Sequence, residues 1–252
     1  DEDGAIQCYT TRFRDDEYLC AFRNPHNAPN NICHLHNVYS DVMERYFPFS
    51  ENIIAINNIC TDVQDRANGC DYDSDFFFVT NEETMVKYAK IAYKNYPTIV
   101  NDIHESGITY ANTKKAYAEM DNKFAKSQLG IGLSSNLAQL AMTYYWTELN
   151  KENSDEKLLK ELYDNFVILS VLAQLVIDSC KRTFEIDAME EIDRIQRMDC
   201  MCTTAEIGLE DGTVITVKRD FPHFMKYTRN VPTTKNGKEL PQGTIANNRK
   251  KL

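Results

Sequence analysis

Apolar and polar positions alternate in short runs over residues 5 to about 80, and helical spacing takes over from Glu82 onward. In the first stretch Glu17–Phe22, Ile53–Ile56 and Asp75–Thr80 read as strands, because β-branched and aromatic residues suit a packed, pleated surface. The last is expected to be buried. Between the first two lies Arg23-Asn24-Pro25-His26-Asn27-Ala28-Pro29-Asn30-Asn31, a loop of turn formers held by two prolines. Asn81 reads as an N-cap, with Glu82 and Glu83 in the first turn of a helix that runs to about Tyr96. A second helical region spans Asn112 to Leu149, with an interruption expected near Gly130-Ile131-Gly132. A third helix starts at Ser154-Asp155-Glu156 and reaches about Arg182, with Leu158, Leu162, Phe166, Leu169, Ala173, Val176 and Cys180 as its apolar stripe. A shorter helix follows over about Ala188–Arg197. Ala205–Val217 reads as a hairpin closed by Asp211-Gly212 as a type I′ turn, and the tail from Val231 is polar and expected to be partly disordered. The pattern predicts an α+β chain in three parts. Residues 1–80 form a β part, 81–200 a helical region, and 201–252 a hairpin and polar tail.

One stretch concentrates chemistry. In Gly69-Cys70-Asp71-Tyr72-Asp73-Ser74-Asp75, three aspartates alternate directly before an aromatic strand, after a turn at Gly69. Carboxylates this close repel one another unless a cation or a raised pKa relieves them, and a hard cation such as Mg²⁺ or Ca²⁺ reverses the sign of that repulsion. The plainer reading is a solvated acidic turn. An EF-hand register with Asp71 first and Glu82 twelfth fails, because Phe76 stands where the loop needs glycine. Arg23, just after a strand, reads as a solvated or ion-paired arginine, or as a holder of phosphate or ribose in a nucleotide enzyme.

Composition narrows the classes. With 252 residues, 42% hydrophobic and 26% charged, the chain has enough apolar material for a real core. The formal charge of −10 argues against a broad nucleic-acid face or a surface held on acidic lipid, though a local basic groove stays compatible with it. No apolar run has the length of a membrane span and no signal pattern opens the chain, so a cytoplasmic protein is expected. The start at Asp1, without Met, is read as that of a piece of a longer polypeptide.

Eight cysteines fit no disulfide framework or zinc spacing and read as reduced, mostly buried thiols. Cys33-His34-Leu35-His36 and Cys200-Met201-Cys202 lack CxxC spacing and read as structural. Gly130-Ile131-Gly132 precedes a helical stripe but lacks the Lys-Ser/Thr pair of a phosphate loop, and reads as a helix break or cap.

The loop Phe22-Arg23-Asn24-Pro25, followed by Gly69-x-Asp71-x-Asp73-x-Asp75 and an aromatic strand ending in Val79-Thr80, resembles the catalytic double-psi β-barrel of two-barrel RNA polymerases. The likeness is nearest to RNA-silencing-type RNA-dependent RNA polymerases and their bacterial and phage relatives. Weaker likeness continues through Leu129–Ala141, Ala173–Lys181 and Asp220–Met225. The resemblance implies a double-psi β-barrel-like N-terminal part followed by a mainly helical region with a β-hairpin. It implies Mg²⁺-dependent nucleotidyl transfer from nucleoside triphosphates along a nucleic acid template, with Mn²⁺ as an alternative metal. Asp71, Asp73 and Asp75 would hold the metal and serve catalysis, while Arg23, Asn24 and Lys181 would face nucleotide or nucleic acid.

Two departures stand out. Ser74 replaces the family's glycine between the last two aspartates, and one chain of this length offers only one barrel. A second barrel, from another chain or from a missing part of the same polypeptide, would be needed, so the chain alone is expected to be inactive. The rival reading is a non-catalytic binding or scaffolding module derived from such an enzyme. Lys123, Lys126, Lys181 and Arg182 are candidates for a basic groove, against the plainer reading of solvated helix faces.

Overall fold

The computed structural model of the chain describes residues 4–71, 75–179, 182–202, 204–208, 212–218, 234–235 and 238–239. The chain divides into two compact units, Asp1–Met201 and Cys202–Leu252. The first is mixed α+β, a curled five-stranded sheet with helices.

The strands are β1 (Ile6–Tyr9), β2 (Glu17–Arg23), β3 (Cys33–Asn37), β4 (Ala55–Ile56) and β5 (Phe77–Thr80), in the order β4-β1-β3-β2-β5. The β1–β3 pair is parallel and the other three are antiparallel. Alternation builds the core: Ile6, Cys8, Leu19, Ala21, Cys33 and Leu35 share one buried cluster, with Phe77, Val79 and Ile56 packed against it. On β2 and β3, the remaining positions stack Tyr18 on His34 and His36, with centroids 5.3 and 4.4 Å away. Cys33-His34-Leu35-His36 therefore makes up most of the central strand. Neither β1 nor β3 has an apolar run long enough to stand out in the sequence.

Two strand expectations need correction. Ile53 and Ile54 precede β4, because the amide of Ile53 donates to the Ser50 carbonyl at 3.0 Å in a turn that leaves Ile53 45% exposed. Among the described residues β5 has β2 alone as a strand neighbour, and only one of its two faces packs on the core. Phe76 is 89% and Phe78 46% exposed.

A short helix, α1 (Asp41–Tyr46), follows β3, and a single turn, α2 (Val63–Arg66), precedes the acidic stretch. Helix α3 (Glu83–Asn95) begins one residue later than expected. Glu82 is its N-cap, and its carboxylate accepts from the Met85 amide at 2.8 Å. The same capping role accounts for Glu82 without any EF-hand.

Helix α4 (Lys114–Leu149) is continuous through both glycines, against the expected interruption. Gly130 is there for closeness. A Cβ built on it would lie 2.8 Å from Met189 Sδ and 2.8 Å from Val176 Cγ1, so two other helices approach its backbone directly. Those helices are α5 (Glu156–Asp178), capped by Asp155, and α6 (Ala188–Gln196), capped by Asp187. Leu162, Phe166, Leu169, Ala173 and Val176 of α5 are buried, as its stripe predicts, and Cys180 lies outside the described residues. No helix among the described residues is long and apolar enough to cross a membrane.

In the second unit, β6 (Thr204–Gly208) pairs antiparallel with β7 (Val214–Lys218), so the expected hairpin is present. Its register joins Gly208 to Val214, which leaves an odd number of residues between them. The expected type I′ turn at Asp211-Gly212 falls partly outside the described residues. Gly212 has φ +82°, and Asp211 lies outside the described residues. Two short paired strands, β8 (Thr234–Lys235) and β9 (Lys238–Glu239), fall in the tail expected to be disordered, the rest of which lies outside the described residues.

Candidate acidic site

The acidic stretch is aimed by a turn with a demanding backbone. Asn68 (φ +58°) and Gly69 (φ +65°) are both left-handed, a conformation that Asn tolerates and Gly adopts freely. A side chain at Gly69 would also approach Gln174 Oε1 at 3.5 Å. The turn is pinned from both sides. Cys70 donates its amide to the Gln64 carbonyl at 3.0 Å, and the side-chain amide of Asn68 donates to the Pro25 carbonyl at 2.7 Å.

Arg23, the last residue of β2, crosses to this turn. Its Nη2 lies 2.6 Å from Asp75 Oδ1, and its Nη1 donates to the Asn68 carbonyl at 3.1 Å. The other oxygen of Asp75 accepts from the main-chain amide of Asp71 at 2.9 Å. The Asp75 side chain is 11% exposed and that of Arg23 22%. The two motifs singled out in the sequence, the Arg-Asn-Pro loop and the aspartate stretch, are thus joined at Arg23 and Asp75. A carboxylate so withdrawn from water needs charged or donating partners, and it has both. Asp71 is exposed, and Asp71 and Asp75 both border a groove of about 650 Å³ whose apolar wall includes Phe49, Phe76 and Phe77. Cys70 borders it too, its thiol pushed up to about 11 chiefly by burial and next by the Asp75 charge.

Asn24 is exposed and joined to Pro25 by a cis peptide bond. Asp73, Ser74 and Lys181 lie outside the described residues, as does the side chain of Lys126. Lys123 donates to the Tyr110 hydroxyl and Arg182 pairs with Glu105 at 2.8 Å, both beside a small hollow. Among the described residues, no group of three or more His, Cys, Asp or Glu side chains is placed to hold a metal ion.

Sequence reasoning missed what lies behind the loop. Asn27, Asn30 and Asn31 are buried rather than solvated. Asn30 donates to the Pro97 carbonyl at 2.7 Å, Asn31 to the Arg66 carbonyl at 3.2 Å, and Gln139 of α4 to the His26 carbonyl at 2.6 Å. Arg66, 2% exposed, donates to the carbonyls of Ile32 and Tyr96 and lies 4.4 Å from the Tyr93 ring centroid. An asparagine-rich loop between prolines carries no apolar period, so nothing in its pattern separates a buried polar loop from an exposed one. The geometry defines an acidic loop at the edge of a curled sheet, cross-tied to an arginine loop and backed by a buried polar layer. No family model, curated protein or solved structure matches the chain.

Proposed function

We propose that the chain is the metal-binding half of a two-barrel, RNA polymerase-like nucleotidyltransferase, with the curled sheet as its double-psi-type barrel. The observation that supports this most is the Arg23–Asp75 pair at 2.6 Å, which unites the two motifs on which the resemblance rests. The donor set suits Mg²⁺ or Mn²⁺, because both take hard carboxylate oxygens. Asp75 is paired with the Arg23 guanidinium, which a metal on that carboxylate would have to displace. Asp71, Asp73 and Asp75 would hold the metal, which when bound would stabilise charge on phosphate oxygens during nucleotidyl transfer. Arg23 and Asn24 would stand at the nucleotide side of the loop, and Lys181 along the template path. A partner barrel would complete the site.

The second reading is a binding or scaffolding module that keeps the loop as structure. It is favoured by the completeness of the Asp75 environment, where both oxygens have partners within the chain. Titration calorimetry with Mg²⁺ and Mn²⁺, on the chain and on Asp73→Ala, separates the two. Binding that disappears in the variant supports the polymerase reading. Heat signals unchanged by the substitution, or none at millimolar metal, favour the module.

A further inference from the structure

We infer that the groove between the two outermost strands of the curled sheet takes one extended segment of a partner polypeptide, apolar at alternate positions and basic at both ends. The inference goes beyond the metal-binding reading above and does not depend on it.

The order β4-β1-β3-β2-β5 makes β4 and β5 the two margins of the sheet, and among the described residues each has a single strand neighbour. The groove of about 650 Å³ lies between these margins. Ile54 and Ile56 line it from the β4 side, and Phe77 and Val79 from the β5 side. All four also pack against the core cluster, as does Phe13, which borders the same groove. The groove is therefore the open flank of the sheet's own interior. Phe76, 89% exposed, stands at its border, so an apolar occupant would cover surface that now meets water.

The backbone of β5 narrows the kind of occupant. One side of the strand bonds to β2, and the other offers four residues, roughly 13 Å, of main-chain donors and acceptors. An extended segment can use those groups by adding a strand, whereas a helix cannot. Side chains that such a segment turns inward would lie beside Phe77 and Val79, which calls for apolar residues at alternate positions.

Charge narrows it further. Asp71 and Asp75 precede β5 and the exposed Glu82 and Glu83 follow it, so acids bracket the strand at both ends. Arg23 offsets Asp75. Even so, the Cys70 thiol on the groove's border feels Asp75, Asp71 and Asp65 against Arg23 alone. Arg12 and Glu51 also border the groove and are opposite in sign. Lysine or arginine at both ends of the occupant therefore meets complementary charge. The same acids disfavour a second copy of this chain, because pairing β5 with β5 antiparallel about Phe78 and Val79 sets Asp75 opposite Glu82.

The test is nuclear magnetic resonance on the full chain with a nine-residue peptide, blocked at both ends, in which three valines alternate with two threonines between pairs of lysines. Strand addition predicts slower exchange of those Phe77–Thr80 amides that β2 does not engage, together with shifts of the Ile54 and Ile56 methyl groups on the opposite wall. Glutamates in place of the lysines should weaken binding about tenfold, and Glu83→Lys in the chain should weaken the lysine peptide about two- to threefold. Proline in place of the central valine should abolish the protection, since it cannot donate to a ladder. Absence of protection at millimolar peptide overturns the inference. Equal binding of the proline or the glutamate peptide overturns it too, by showing unspecific apolar contact. Protection of β5 that appears without peptide, rises with chain concentration and accompanies a dimer in sedimentation assigns this margin to a second copy and overturns it as well.

Discussion

The side-chain amide of Gln139 donates to the main-chain carbonyl of His26 at 2.6 Å, tying the middle of α4 to the loop that carries Arg23. His26 is pressed against Phe22, with ring centroids 4.8 Å apart, and burial lowers its pKa from 6.5 to about 4. The folded chain thus keeps this imidazole neutral where the unfolded chain protonates it. The resulting stabilisation is complete above pH 6.5 and is lost as pH falls from 6.5 toward about 4. It amounts to on the order of 2–3 kcal/mol. Urea midpoints measured from about pH 7.5 down to about pH 4.5 should fall more steeply for the parent than for His26→Gln.

The two glycines of α4 should respond oppositely to alanine. Gly132 has open space around its Cβ position, so Gly132→Ala should stabilise by about 0.5–1 kcal/mol through helix propensity. Gly130→Ala gains the same propensity but pushes against the stiff, branched Val176 and against Met189. A net loss of about 1–2 kcal/mol is expected. Thermal melts of the pair check both signs.

Arg66 supports the site from behind. Arg66→Met keeps much of the packing on Tyr93 but leaves the carbonyls of Ile32 and Tyr96 without their donor. Chemical denaturation should show a loss of about 3 kcal/mol. Arg66→Lys should recover less than half of it, since one ammonium cannot reproduce the planar fork.

Thiol reactivity should follow burial. Cys60 is exposed, whereas burial pushes Cys8 and Cys33 up to about 12 and Cys20 up to about 11. Iodoacetamide on the native chain, read by peptide mass mapping, should label Cys60 early and these three only after denaturation. Early labelling of Cys33 would mean that the sheet opens readily.

Much of the helical half was legible because Leu162, Phe166, Leu169 and Val176 repeat at one helical period and Asp155 and Asp187 cap where the pattern begins. The continuity of α4 was not, since Gly130 reads as a breaker locally and earns its place only through Val176 and Met189, distant in sequence. The central strand β3 was hidden for a related reason. Its Cys-His-Leu-His run has mixed polarity, and burial of His34 depends on Tyr18 arriving from β2. At the site, Arg23, Asp71 and Asp75 were all identified as residues of interest, and Gly69 marked the turn before them. The 2.6 Å pairing of Arg23 with Asp75 follows from β2 and β5 lying side by side in antiparallel register, a non-local fact that no window of sequence contains.

The peripheral place of β5 bears on how the sheet opens. Its amides and carbonyls on one side bond to β2, and among the described residues it has no second strand neighbour. Fraying this strand would break one ladder and uncover only the side of the cluster on which Phe77 and Val79 pack. Amide hydrogens of Phe77–Thr80 should therefore exchange through local opening, far faster than those of Leu35, whose strand has neighbours on both sides. This margin of the sheet would then open at a small fraction of the free energy of global unfolding.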